Sequence, residues 1–166
     1  MGVLKHFESY IAAQKATGMQ FVIFGVLLLI AGILLHFSQL TPITQGLRNG
    51  FFVTSMLLLA SGVGFIANQN TLLQTKTETY QTNQQEFRQQ EIERMQGVNK
   101  RVPAIVKGLA VALILALLAL ILIGIQPLWK GVLFSVLIYL LGLLILESIS
   151  YLSVKTYLES LLNDAT

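Results

Sequence analysis

"PAIVKGLAVALILALLALILIGIQPLWKGVLFSVLIYLLGLLILESISYL", residues 103–152, decides the fold. Two apolar runs fill it, parted only by Gln126-Pro127. Its charged residues are Lys107, Lys130 and Glu147. Each run reaches the roughly 20 residues that cross a bilayer as a helix. Lipid offers no partner for a free peptide group, so runs this long must be helical. The quoted stretch therefore reads as two spans joined by a tight turn.

Two more runs lie upstream. One is "GMQFVIFGVLLLIAGILLHF", Gly18 to Phe37, and the other is "LRNGFFVTSMLLLASGVGFIA", Leu47 to Ala67. The first is too long for a cleaved signal, and "HFSQL" after it has no small-x-small site. Composition agrees. The chain is 54% hydrophobic and 11% charged, with a mean hydropathy of +0.70, whereas a soluble domain carries about 25% charged residues. The expected fold is all-α: a polytopic membrane protein with four transmembrane helices arranged as two antiparallel hairpins, 18–67 and 103–152.

Topology follows from the connections. "SQLTPITQG" and "QP" are short turns on one side, while residues 68–102 share the other side with both termini. Lys5, Lys15, Lys76, Arg88, Arg94, Lys100, Arg101, Lys107 and Lys155 lie on the side of the termini, against Arg48 and Lys130 opposite. The positive-inside bias puts both termini in the cytoplasm. The compact, cysteine-free chain with minimal loops is expected in a bacterial inner membrane. Trp129, beside the second turn, suits the headgroup belt as an interface anchor.

Three peripheral segments remain. Residues 1–17 place Val3, Leu4, Phe7, Tyr10 and Ile11 at helical spacing, as in an interfacial amphipathic helix. Residues 68–102 read as a cytosolic helical hairpin turning near Thr82-Asn83. Its second arm, Glu86 to Gln96, carries Phe87, Ile92 and Met95 on one broad face, an expected interaction surface. Gly97 and Asn99 are expected to end that arm, and Pro103 to open span three. Glu78, Glu86, Glu91 and Glu93 alternate with the basic residues, which predicts a solvated face and no nucleic-acid patch. Residues 153–166 continue the fourth helix as an amphipathic extension.

Small residues mark expected helix contacts, because lipid gives no hydrophobic drive for association. Gly18, Gly25 and Gly32 recur every seven residues in span one. Ala60 and Gly64 are four apart in span two, as are Gly108, Ala112 and Ala116 in span three. Gly131 and Ser135 pair likewise in span four. "NGFFVTS" and "KGVLFSV" both place a hydroxyl residue four positions after glycine. These rows predict a tight bundle or, through span one, a homo-oligomer.

Glu147 is the conspicuous residue. Counting from the "QP" turn puts it level with Lys107 on span three. The expectation is an intramembrane Glu147–Lys107 pair, with snorkelling or a proton- or cation-binding role as alternatives. No catalytic residue, metal site or cofactor motif is present: there are no cysteines, and His6 and His36 lie apart.

The reading is therefore a non-enzymatic membrane protein acting through protein–protein contacts in the bilayer or at its cytosolic face. Size, several spans and small external turns are similar to the layout of bacterial immunity proteins that neutralise membrane-targeting toxins. The alternative is a homo-oligomeric channel or small transporter using Glu147. Four-span multidrug exporters use a membrane glutamate, but theirs lies in the first span, and span three here lacks the polar stripe of a pore.

Overall fold

The computed structural model describes residues 3–38, 41–122 and 124–163. It is all-α, with helices α1 (Val3–His36), α2 (Pro42–Thr82), α3 (Gln84–Leu122) and α4 (Pro127–Asn163). Each contains a stretch long and apolar enough to cross a membrane. Helices of 34 to 41 residues are roughly 50–60 Å long at 1.5 Å per residue. That exceeds a hydrocarbon core of about 30 Å, so every helix continues beyond its apolar stretch. The molecule accordingly has an apolar layer and a polar layer.

Local chemistry sets the breaks. Thr41 caps α2, its hydroxyl accepting from Thr44 N at 3.2 Å, and Pro42 takes the first turn, where a missing N–H costs nothing. Asn83 serves two helices at once. Its N–H donates to Thr79 O at 2.9 Å, closing α2. Its side-chain oxygen accepts from Gln85 N at 3.1 Å and Glu86 N at 3.2 Å, opening α3.

The apolar layer is built from α1, α2 and α4 around Phe21, Leu28, Phe51 and Leu58. The glycine row of α1 lies against α2: Gly18 meets Gly62 and Ile66, Gly25 meets Leu58 and Leu59, and Gly32 meets Phe51 and Phe52. The positions rise on α1 as they fall on α2, so the two helices run antiparallel. This row is occupied within the chain. On α2 the close contact falls on buried Gly62. Ala60 is exposed and Gly64 looks onto open space, because the face they share points away from α1.

The tightest crossing joins α2 to α4. A Cβ on Gly46 would overlap the Leu128 carbonyl oxygen, and one on Gly131 would overlap the Ile43 carbonyl oxygen. A Cβ on Gly50 would strike Ser135. Two pairs of small residues, each spaced by four, thus interlock backbone to backbone. The hydroxyls of Thr54 and Ser135 bond within their own helices, to Gly50 O at 2.8 Å and Val132 O at 2.6 Å. They pack as small groups and leave no polar group unpaired.

The polar layer corrects the reading of the peripheral segments. Residues 3–17 do not form a separate interfacial helix; they are the first turns of α1, which runs unbroken to His36. α3 does not stop at Gly97 or Asn99, and it continues through Pro103. Proline there removes one helical hydrogen bond, and burial of Met95 beside packed Val98 holds the preceding turns in line. Phe7, Tyr10, Ile11, Phe87, Met95, Val154, Tyr157, Leu158 and Leu161 form one core, with Leu72, Leu73 and Tyr80 of α2 packed against it. Phe87 and Met95 are 0% exposed, and Ile92 packs beside them. The expected interaction surface faces inward, because α1 and α4 extend far enough to cover it.

α3 differs from the others. Its buried residues are Phe87, Glu91 and Met95, all in its first four turns. Its apolar stretch holds no buried residue. Gly108 meets nothing, and Ala112 and Ala116 are only half-buried.

These contacts predict a sharp contrast. Gly131→Val should destabilise the protein by about 3 kcal/mol or more, since neither backbone can yield. Gly64→Val should change stability by no more than about 0.5 kcal/mol. Thermal unfolding in detergent measures both; equal losses would contradict the crossing.

Candidate functional site

The polar chemistry gathers where the two layers meet. α2 and α4 touch near Gly46 and Gly131. Further towards the polar layer lies a cavity of about 420 Å³ walled by all four helices. α1 contributes Tyr10, Gln14 and Thr17, and α2 contributes Ser61 and Gln69. α3 contributes Arg94, and α4 contributes Tyr139, Glu147 and Ser150. Helical spacing explains the set. Residues 10, 14 and 17, or 143, 147, 150 and 154, recur at three or four and so share one face.

Glu91 and Arg94 form the base of this region. Arg94 Nε donates to Glu91 Oε2 at 2.9 Å, and Arg94 Nη2 donates to Glu91 Oε1. The Glu91 side chain is 0% exposed and that of Arg94 26%. One turn of α3 thus brings its own counter-charge into the core. The guanidinium lies 5.6 Å from the centre of the Tyr10 ring, within cation–π range. Tyr10 stacks on Tyr157 at 4.6 Å, with the ring planes 13° apart.

This environment tunes the groups within it. Burial raises the Tyr10 hydroxyl above the usual tyrosine value, although Arg94 opposes the shift. Burial raises Tyr157 as well, and the negative charge of Glu91 adds to it. Burial alone would lower Arg94, but its bonds to Glu91 outweigh that and hold it above the ordinary arginine value. Both phenols are therefore neutral and Arg94 is charged at neutral pH.

Two amides of the cavity wall are left incomplete. Gln14 Oε1 accepts from Ser150 Oγ at 3.1 Å, tying α1 to α4, yet its Nε2 has no partner. Gln69 Oε1 is likewise buried without a partner. Gln14 is 3% exposed and Gln69 5%, so bulk water does not complete them.

The expected Glu147–Lys107 pair is not formed. Glu147 is half-buried on the cavity wall, while Lys107 is exposed on α3. The two match in distance from the turn but point to different sides. Trp129 lies exposed on the first turn of α4. Among the described residues no group of three or more His, Cys, Asp or Glu could hold a metal ion.

Glu91, Arg94, Gln14 and Gln69 were not expected in a site. Charge alternation masked the first two. A signal was nevertheless present: Phe87, Glu91, Met95 and Val98 recur at the spacing of a buried stripe, with Glu91 inside it. The chain matches no protein-family model, no curated protein and no solved structure.

Removing one partner of a buried pair leaves the other charge uncompensated. Arg94→Met should therefore cost about 3–5 kcal/mol. Adding Glu91→Leu to it should restore much of that loss. Denaturation of the single and double variants measures the difference, and strictly additive losses would show that the pair is not coupled.

Proposed function

We propose that the protein is a non-enzymatic, membrane-embedded binding protein whose ligand occupies the cavity between the layers. The observation that carries this reading is that the cavity is polar at one end and sealed at the other. Beyond Phe21 and Leu143 the interior is Leu28, Phe51 and Leu58, followed by the α2–α4 crossing. A channel needs polar groups along its whole length, and this interior supplies them on one side only. Glu147 also lacks the second acid or histidine that general acid–base chemistry uses. The excess of basic residues on the polar layer supports a cytoplasmic side for that layer, and a bacterial inner membrane is the location proposed with it.

A protein partner is the second reading, favoured by the flank of α3. Gly108, Val111, Leu115 and Leu118 are exposed there, and α3 is the helix least held by its neighbours. A membrane-targeting toxin, as in immunity proteins, or a second copy would fit such a flank. Photocrosslinking from Leu115 in native membranes supports this if it traps a chain, and counts against it if it traps lipid alone.

The absence of natural cysteine makes accessibility simple to measure. A cysteine at Ser61 should react with a water-soluble maleimide from the polar-layer side, and one at Leu28 should not react from either side. Purified protein in liposomes should pass protons and small cations no faster than empty vesicles. Glu147-dependent flux would replace the binding reading with a transporter.

A further inference from the structure

We propose that the cavity binds a small amphipathic amine: a protonated primary amine with a neighbouring hydroxyl or carbonyl on an apolar body. This rests on the binding reading above and names its ligand class.

Charge comes first. The cavity wall holds one cation, Arg94, and its guanidinium is engaged by Glu91 through two hydrogen bonds. The wall holds one carboxylate, Glu147, and no ion pair joins it to Lys107. With Arg94 committed to Glu91, the Glu147 carboxyl is the ionisable group of the wall left without an ionic partner; a protonated amine would pair with it and an anion would not. Among the described residues a metal ion finds too few ligands.

Hydrogen bonding comes second. Gln69 Oε1 is a buried acceptor with no donor, and Gln14 Nε2 is a buried donor with no acceptor. Both atoms are closed off as the side chains stand, but both side chains line the cavity; leaving such groups unmet is costly, so a guest that draws the two amides round would complete them. An ammonium donates three hydrogen bonds, enough for Glu147 and Gln69 together. A hydroxyl or carbonyl beside it accepts from Gln14.

The remaining wall is apolar and aromatic. Phe21, Phe65 and Leu143 line it together with Tyr139. Aromatic faces attract cations, and the apolar surface suits a hydrocarbon or aryl body. A volume of about 420 Å³ lies within the ordinary range of small-molecule sites. Entry is available beside exposed Ser61.

The test uses the full chain in lipid nanodiscs and 2-amino-1-phenylethanol as probe, read by saturation-transfer NMR and calorimetry. 1-Phenylethanol and phenylacetate serve as neutral and anionic controls. The amine should bind saturably and the controls should not. Glu147→Gln should weaken it about tenfold or more, the loss of one charged hydrogen bond. Ser61→Phe, which narrows the cavity from an exposed position and leaves the core untouched, should also block it. No saturable binding, equal binding of all three compounds, or unchanged affinity in Glu147→Gln would overturn the proposal. If the amine fails while the Ser61 cysteine still labels and no flux appears, the ligand class is wrong and the binding reading stands. Glu147-dependent flux of cations would reject the binding reading itself.

Discussion

The contact between α2 and α4 at Gly46, Gly50, Gly131 and Ser135 sets the geometry of everything else. Helices held apart by side chains cross at about 8–10 Å; here the backbones themselves meet. Towards the polar layer such contacts give way to the cavity walled by Gln14, Gln69 and Glu147. The first turns of α3 pack into the core there, while its apolar stretch holds no buried residue. The crossing, the cavity and the exposed flank of α3 together lay out the two layers.

The proposed bilayer placement gives the two layers different forces. In lipid, apolar side chains gain nothing by touching one another, so close packing of small residues has to hold the apolar layer. In water, burying a large apolar side chain contributes about 1.5–3 kcal/mol, and the polar layer buries Phe7, Phe87, Met95 and Leu161 almost completely. Phe7 meets Phe87 edge to face at 5.4 Å, and Tyr80 meets Phe87 in the same way at 5.3 Å. Arg88 adds a bond from α3 to Leu161 O at 3.1 Å, and Lys76 adds one from α2 to Gln90 at 2.8 Å. The water-side bundle sets the register of helices that lipid alone would hold weakly. Glu91 and Arg94 enter this core as a matched pair, which limits the cost of burying charge.

Helix class and the four apolar stretches were legible because hydropathy over 20 residues is a strong local signal. The glycine row of α1 was legible as a contact face, though not its partner, Gly62 of α2, which lay two residues from the spaced pair Ala60 and Gly64. Small-residue spacing says that two helices can approach; it does not say which face turns inward. The polar layer was harder to read. Residues 3–17, 84–98 and 153–163 each look marginal alone, since each buries its apolar stripe only against the other two and α2. Depth counting put Glu147 beside Lys107, but depth does not fix rotation about a helix axis, and rotation separates them.

The central claim is that these separated segments form one packed bundle continuous with the apolar layer. Amide hydrogen exchange of the full chain in nanodiscs, with and without Phe87→Ala, tests it most directly. The account predicts slow exchange in residues 7–14, 87–98 and 154–161, and a joint acceleration of all three when Phe87 is truncated. Acceleration confined to α3, with residues 7–14 and 154–161 unchanged, would contradict it.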